Sequence, residues 1–224
     1  MKKDFLLLHG AIGSQKQFTA IAENISSQYT IHRLNFSGHG GSAIKSDFNI
    51  ALFMKDVEDY IRNHNLQKLT IFGYSMGGYV ALKLAATGVN YIEKIITLGT
   101  KFDWSEAATA KELKMLNPDK IEEKVPKFAA TLQKEHEGED WKEVVRQTAK
   151  MMQQLSTHDQ LTKQELKNIT IPVRLGLGDS DKMVSETETK WALQLLPNAD
   201  FVQLKDSPHP LMRVPIKAIL KLIE

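Results

Sequence analysis

The chain of 224 residues contains no cysteine, no marked excess of one charge and no long apolar run. The absence of cysteine excludes disulfide bonds, thiolate metal sites and a cysteine nucleophile. The 29 basic and 27 acidic residues leave a formal net charge of +2, without a cluster of lysine and arginine, so nucleic acid is not an expected partner. The longest early apolar run, Phe5–Leu8, is far shorter than the ~20 residues of a membrane span.

The N-terminal residues also lack the pattern of a secretory signal. Lys2 and Lys3 are followed closely by Asp4, His9 and Gly10, which leaves no apolar region of about 7–15 residues. We therefore expect a cytoplasmic protein without a membrane span. Hydrophobic residues make up 42% and charged residues 25% of the chain, as is typical of soluble globular proteins. At about 150 residues per domain, the length predicts one domain with an insertion.

Short apolar runs alternate along the chain with segments of helical periodicity. One such segment carries Ile50, Phe53, Val57 and Ile61 on a single face, which is typical of an amphipathic helix. Alternation of strands and helices predicts a parallel sheet with right-handed crossovers. The predicted strands are Phe5–Leu8, Tyr29–Leu34, Leu69–Phe72, Ile92–Leu98, Val173–Leu177 and Phe201–Leu204.

Residues 102–166 interrupt this alternation, because their periodicity is helical only. We interpret the stretch as an all-helical lid inserted into a core that consists of residues 1–101 and 167–224. Its large apolar side chains have two open interpretations: they line a substrate pocket beneath the lid, or they pack the lid onto the core. These side chains are Trp104, Met115, Phe128, Met152 and Leu155.

The segment Gly73-Tyr74-Ser75-Met76-Gly77 fits the pattern G-x-S-x-G. It follows an apolar predicted strand and precedes an alanine-rich predicted helix, which is the context of a nucleophile elbow. In so tight a turn the residues two before and two after the serine need to lack a Cβ. The helix N-terminus behind the serine favours developing negative charge. We predict Ser75 as the nucleophile; the alternative is an ordinary glycine turn with a capping serine.

A serine hydroxyl needs a base that takes its proton. In a fold with this elbow the acid and then the base follow the serine along the chain. His209 satisfies that order and lies between two prolines that stiffen its loop; the alternative is a surface histidine. For the acid we favour Asp181, the third residue after Gly178, over Asp179, which suits a turn. Asp103, just past the fourth predicted strand, is a third candidate.

The oxyanion of an acyl-transfer intermediate needs at least two backbone donors. In an elbow one donor is the N–H after the nucleophile, here Met76, and the other comes from the loop after the first strand, where Ala11 is our candidate. The segment His39-Gly40-Gly41 also looks like an oxyanion motif. It follows the second predicted strand, however, so we interpret it as a turn.

Together these segments resemble the α/β-hydrolase superfamily over nearly the whole chain. The resemblance implies a three-layer α/β-hydrolase fold, a lid at the position of the helical insertion, and Asp181 as the acid. Only four residues precede Phe5, so we expect a mainly parallel six-stranded sheet without the family's N-terminal antiparallel pair. Asn35 and Ser37 replace the usual aspartate and proline, from which we expect a less rigid turn. The matching segments are Leu8-His9-Gly10, Gly38–Ser42, Gly73–Gly78, Gly178 with Asp181, and His209.

The resemblance implies a serine hydrolase that cleaves a carboxylic ester or thioester of a small to medium, mostly apolar acyl group, with no metal and no organic cofactor. Relatives that open epoxides or displace halide carry an aspartate where this chain has Ser75, so neither activity is expected. Two alternatives stay open: a lyase or synthase that abstracts a carbon-bound proton, and a ligand-binding protein with a slow triad. Relatives that make a menaquinone precursor by such proton abstraction tend to carry an arginine where this chain has Tyr79.

The expected partner is thus a small-molecule ester or thioester. Five residues are our candidates for contact with it: Ile12, Lys101, Trp104, Met152 and Leu211. For Lys101 two interpretations stay open, attraction of a substrate carboxylate and simple exposure to solvent.

Overall fold

The computed structural model describes residues 2–224 and contains one parallel sheet. Its strands are β1 (Lys3–Leu8), β2 (Tyr29–Leu34), β3 (Leu69–Tyr74), β4 (Ile92–Leu98), β5 (Val173–Gly178) and β6 (Ala199–Leu204). They lie in the order β2-β1-β3-β4-β5-β6, and every neighbouring pair is parallel. The predicted parallel six-stranded sheet is therefore confirmed.

Four strands, β1, β3, β5 and β6, are longer than predicted, because pairing with their neighbours continues past the apolar runs. β3 extends to Tyr74, which pairs with Leu98 of β4. β6 begins at Ala199, which pairs with Val173 of β5. The extension of β3 brings the strand directly to Ser75, so no loop separates it from the turn.

The helices of the described chain connect the strands in sequence. They are α1 (Thr19–Ile25), α2 (Ile50–Asn63), α3 (Met76–Ala86), α4 (Glu106–Met115), α5 (Pro118–Lys124), α6 (Pro126–Glu135), α7 (Trp141–Leu155), α8 (Lys163–Asn168), α9 (Glu186–Leu195) and α10 (Ile216–Ile223). Short 3₁₀ turns precede α1 and α10, at Gln15–Phe18 and Leu211–Arg213.

Helices cover both faces of the sheet because the strand side chains alternate between them. On β1, Leu6 and Leu8 share a core with residues of α2 and α3, whereas Phe5 and Leu7 share a second core with residues of α1 and α10. All four side chains are fully buried, as expected for an inner strand of a parallel sheet. The structure thus has the three predicted layers.

Helices α4 to α8 lie between β4 and β5, in the stretch predicted as the helical insertion; they run from Glu106 to Asn168, two residues beyond the predicted end at 166. Its regular structure is helical only. Helix α7 joins it to the core: Leu155 packs in the main core, whereas Trp141 and Val145 pack with α5 and α6. Within residues 2–224, no helix is long and apolar enough to cross a membrane.

Asn35 and Ser37, the two departures from the family pattern, are both held by hydrogen bonds. The Asn35 side chain accepts the N–H of Gln15 at 2.8 Å and donates to the carbonyl of Gly40 at 3.1 Å. Ser37 donates its backbone N–H and its hydroxyl to the buried carboxylate of Asp56, at 2.7 and 2.8 Å. A proline at position 37 has no N–H to donate. The turn that we expected to be less rigid is therefore cross-linked by its own polar side chains.

Three fully buried histidines lie where the helical insertion meets the loops after β1 and β2. His9 and His39 come from those two loops, and their ring centroids are 5.1 Å apart. His136 comes from the end of α6, with its ring 5.7 Å from that of His39. It accepts the N–H of Gly40 at 3.0 Å and donates to the carbonyl of Ile12 at 3.1 Å. His136 therefore connects the insertion to both loops. Within residues 2–224, no group of three or more histidine, aspartate or glutamate side chains is arranged to hold a metal ion.

Each of the three histidines is neutral in these contacts. His9 donates from Nδ1 to Gly10 and accepts the N–H of Phe36 at Nε2, so it has no site for a second proton. Burial lowers the pKa of His9 to about 4. Burial, together with the neighbouring His9, lowers the pKa of His39 well below its usual value, and burial lowers that of His136. Protonation of any of them opposes the folded state.

We predict that Asp56→Ala lowers the free energy of unfolding by about 3 kcal/mol, because the N–H and hydroxyl of Ser37 lose their acceptor inside the protein. Urea denaturation measures the change. Asp59→Ala is the matched control on the same helix, since Asp59 is paired with Lys55 and Arg62 at the surface. Exposed ion pairs contribute little, so this control is expected to be nearly as stable as the parent. Equal losses for both variants would contradict the role assigned to Asp56.

A second prediction concerns pH. Above about pH 6.5 the three histidines are neutral in both states. Below it the unfolded chain binds protons at positions where the folded chain, with its lowered histidine pKa values, does not; for His9 this difference persists down to about pH 4. The free energy of unfolding therefore falls as the pH decreases from 6.5 to 5, by up to about 1.4 kcal/mol per pH unit for each histidine.

Denaturant unfolding at pH 7, 6 and 5 measures this slope. His39→Phe removes one of the three groups, so its slope is expected to be shallower. His64→Asn is the control, because His64 is exposed at the end of α2, and it is expected to keep the parent slope. A free energy of unfolding that does not change between pH 7 and 5 would rule out the interpretation.

Candidate active site

Ser75 occupies a one-residue turn between β3, which ends at Tyr74, and α3, which begins at Met76. Its backbone has φ 51° and ψ −114°, in the left-handed half of conformational space that residues other than glycine seldom adopt. The N–H of Ser75 donates to the carbonyl of Leu98 at 2.9 Å. The neighbouring strand thus supports the strained residue, and the geometry is that of the predicted elbow.

The glycines of the motif are required by close backbone contacts. A Cβ on Gly73 would lie 2.4 Å from the Cα of Gly78, on the first turn of α3. A Cβ on Gly77 would lie 2.1 Å from the carbonyl oxygen of Leu8, at the end of β1. Neither contact tolerates a side chain. Gly73 therefore permits the turn itself, and Gly77 permits α3 to lie against the end of the first strand.

His209 and Asp181 are paired at the same edge of the sheet. The Nδ1 of His209 donates to Oδ2 of Asp181 at 2.7 Å, and the two side chains are 8% and 2% exposed. The other carboxylate oxygen accepts the N–H groups of Met183 and Val184, at 2.8 and 2.9 Å. With Nδ1 engaged, Nε2 of His209 is left as the basic nitrogen.

The contacts of Asp181 keep it ionised. Burial acts to raise the pKa of its carboxyl, but the hydrogen bond and electrostatic attraction from His209 and the two backbone donors outweigh burial, so the pKa is below its usual value. The loop of His209 is held as well, because the hydroxyl of Tyr74 donates to the carbonyl of His209 at 2.9 Å.

Of the three predicted candidates for the acid, Asp181 is the one that hydrogen-bonds His209. Asp179 is exposed and accepts the N–H groups of Asp206 and Ser207, which lower the pKa of its carboxyl. It has the turn role that the sequence suggested. Asp103 accepts the N–H of Ser105 at the start of α4.

The predicted oxyanion donors belong to two segments next to Ser75, the start of α3 and the loop after β1. Met76 is the first residue of α3, so its N–H has no partner within the helix and lies at the positive end of the helix dipole. Ala11 belongs to the loop after β1. A Cβ on Gly10, its neighbour in that loop, would lie 3.3 Å from the Cβ of Ser75, so the loop passes directly beside the serine.

The loop after β1 is strained at Ile12 and is held by a hydrogen bond from the helical insertion. Ile12 has φ 50°, which is unfavourable for a β-branched residue. Its carbonyl accepts the hydrogen bond from His136 of the helical insertion. The sequence provides no signal for this link, because 124 residues separate its two ends.

Ser75 and His209 both open into a cleft between the core and the helical insertion, with an empty volume of about 460 Å³ including its mouth. Three of the five predicted substrate contacts line it: Lys101, Trp104 and Met152. Leu155, also considered from the sequence, lines it too. The remaining lining residues are Ile50, Met76, Tyr79, Glu112, Met151, Met183 and Val184.

Ile12 and Leu211 lie elsewhere in the described structure. Ile12 packs against the small core of the insertion, and Leu211 is buried in the core beneath α1 and α10. Met115 and Phe128 are 46% and 42% exposed and do not line the cleft of the described chain. Sequence reasoning missed Glu112, which has no apolar pattern to reveal it. Sequence reasoning also missed Met183, although it follows the predicted acid Asp181 by two residues and this nearness was an available signal that it lines the cleft.

Tyr79, at the position where some relatives carry arginine, joins the core to the insertion. Its ring packs edge-on against Trp104, with centroids 6.2 Å apart. Its hydroxyl accepts the N–H of Leu161 at 2.6 Å. Burial raises its pKa, so the hydroxyl stays protonated.

Comparison with known structures supports this description of the fold. An α/β-hydrolase enzyme from a Medee basin deep-sea metagenome library has a TM-score of 0.81 and 18% identity, over 99% of this chain and 88% of its own. A thermophilic esterase from Thermogutta terrifontis has a TM-score of 0.77 and 18% identity, over 100% of this chain and 90% of its own. At such identities the likeness concerns the fold.

Sequence comparison gives a relative in Haemophilus influenzae, a protein provisionally named an esterase/lipase. It is 34% identical over 93 residues, which are 42% of this chain and 32% of the relative. The chain spans less than two-fifths of the length of the curated relatives that it matches. The family model for the α/β-hydrolase fold matches residues 4–140, more than half of the sequence. The chain therefore belongs to the α/β-hydrolase family.

Proposed function

We propose that this chain is a serine hydrolase that cleaves carboxylic esters through a covalent acyl-enzyme on Ser75. One observation carries the proposal: the buried pair of His209 and Asp181, at 2.7 Å, opens with the strained Ser75 into one cleft. A base held in one orientation, in the same cleft as a hydroxyl on a tight turn, is the set of groups that activates a serine.

In the proposed reaction Oγ of Ser75 attacks the ester carbonyl while Nε2 of His209 takes its proton. Asp181 stabilises the imidazolium that forms and keeps the ring in the required orientation. The N–H groups of Met76 and Ala11 hold the oxyanion. His209 then gives its proton to the leaving alcohol, and a water molecule releases the acid by the same steps in reverse order.

The lining of the cleft supports a mostly apolar acyl group. Met151, Met152 and Leu155 of α7 provide one side of it, and we assign the helical insertion the role of a lid above Ser75. Lys101 is paired with Glu112, with Nζ and Oε1 3.5 Å apart. Because its charge is already balanced, Lys101 does not attract a substrate carboxylate. The proposed substrate is therefore an uncharged ester of small to medium size.

A fluorophosphonate probe tests the nucleophile directly. We expect it to label the protein at Ser75, as located by peptide mapping, because such probes react with activated serines. Ser75→Ala is expected to lose the label and to lower the rate on 4-nitrophenyl acetate at least ~10⁴-fold.

Ser42→Ala is the control, since Ser42 lies in the loop after β2 and outside the lining of the cleft, and it is expected to keep both the label and the rate. Label at another serine, or unchanged hydrolysis by Ser75→Ala, would refute the proposal. Labelling without turnover on any ester would instead favour a binding protein with a slow triad.

The choice of acid is tested by two matched substitutions. Asp181→Asn is expected to lower kcat by about 10⁴-fold, because the amide does not hold the productive tautomer of His209. Asp179→Asn lies two residues away and changes a turn rather than the base, so its kcat is expected to stay within about tenfold of the parent. Steady-state kinetics on 4-nitrophenyl acetate compare them. The reverse order of effects would transfer the role to Asp179.

A further inference from the structure

Two polar atoms of residues that line the cleft are buried without a hydrogen-bond partner in the described chain. They are Nε1 of Trp104, a donor, and Oε1 of Glu112, an acceptor. Buried polar atoms in folded proteins nearly always have a partner, because an unmet donor or acceptor costs free energy. Both residues belong to the helical insertion, and both line the same space as Ser75.

The other contacts of these residues hold them in place without satisfying the two atoms. Trp104 packs against Tyr79, and its carbonyl accepts the hydroxyl of Thr109 at 3.3 Å. The Glu112 side chain is 3% exposed and is paired with Lys101, whose Nζ donates to the carbonyl of Met183 at 3.0 Å. Oε1 of Glu112 is the atom that faces Nζ of Lys101, 3.5 Å away, so this oxygen has a balancing charge but no hydrogen bond of ordinary length.

The chemistry of the two atoms defines the group that would satisfy them. It needs an acceptor for the indole N–H and a donor for the carboxylate oxygen, and it needs to be neutral. An anion would meet the carboxylate of Glu112, and a cation would meet Lys101. A hydroxyl group accepts and donates through one oxygen, and it is small enough for a narrow apolar cleft.

We propose that the cleft selects esters whose acyl chain carries a hydroxyl group, which accepts from Nε1 of Trp104 and donates to Oε1 of Glu112. This inference rests on the proposed ester hydrolysis and specifies its substrate class. A site built to hydrogen-bond a substrate hydroxyl discriminates against the analogue that lacks it, because the polar groups of the site are then left unpaired.

The test uses pairs of methyl esters that differ in one terminal group. Methyl 6-hydroxyhexanoate is compared with methyl heptanoate, and methyl 8-hydroxyoctanoate with methyl nonanoate, so that a methyl group replaces the hydroxyl. With methanol as leaving group, the acyl chain alone fills the cleft. We expect kcat/KM to be at least about tenfold higher for the hydroxy member of at least one pair, although burial of apolar surface by itself favours the other member.

Two variants assign the preference to the named atoms. Trp104→Phe removes the N–H and keeps an aromatic ring, and Glu112→Gln removes the charged acceptor and keeps the shape. Each is expected to lower the preference ratio about tenfold. Trp191→Phe and Glu106→Gln are the controls, since both residues lie outside the cleft of the described chain, and they are expected to keep the parent ratio. If Glu112→Gln does not fold, Trp104→Phe decides.

Binding to Ser75→Ala separates this inference from the proposed function. Calorimetry is expected to show that this variant binds methyl 8-hydroxyoctanoate or its shorter homologue more tightly than the matching methyl alkanoate. That result supports the hydroxyl site whether or not Ser75 is the nucleophile. If the parent hydrolyses 4-nitrophenyl acetate but neither pair shows a hydroxyl preference in rate or binding, the inference is overturned while the hydrolase stands. A water molecule that bridges the two atoms predicts that outcome.

Discussion

The site depends on a contact between two backbones. Gly77 has no side chain, so α3 lies against the carbonyl of Leu8 at the end of β1, where a Cβ would be 2.1 Å from the oxygen. This contact brings the first turn of α3, which contains Met76, beside the loop after β1, which contains Ala11. Ser75, with its strained conformation, directly precedes that turn. A methyl group at position 77 would separate the helix from the strand.

The position of the loop after β1 depends in turn on the helical insertion. His136 donates to the carbonyl of Ile12, and it is able to do so because its other nitrogen accepts the N–H of Gly40. A histidine with one nitrogen accepting and one donating is neutral, and burial lowers its pKa in support of that form. The loop strain at Ile12 is thus balanced by a bond from a residue far along the chain. The helical insertion and the loop after β1 are thus linked directly by this hydrogen bond.

The sequence was sufficient where the relevant signal is local or topological. The apolar runs predict the strands, G-x-S-x-G predicts the turn at Ser75, and the order of the strands along the chain leads to Asp181 and His209, whose pairing was an expectation until the distance was known. It was insufficient where a position depends on packing between distant segments. Ile12 was among the candidates for contact with the substrate, yet it packs against both the main core and the small core of the insertion. Glu112 sits among charged residues on α4, and its burial arises from the way α4 lies over Lys101.

The ion pair between Lys101 and Glu112 also explains why the otherwise apolar cleft contains polar groups. Removing two charges from water costs more than a moderate attraction at 3.5 Å returns, so the pair is a poor way to stabilise the insertion. Two apolar side chains of similar volume would pack the same space without that cost. The pair is better understood through its position, because Lys101 directly follows the sheet edge and Glu112 lies on the first helix of the insertion. It holds a carboxylate oxygen in an apolar cleft while Lys101 balances the charge of that carboxylate, which suits the proposed recognition of a neutral hydroxyl rather than an ion.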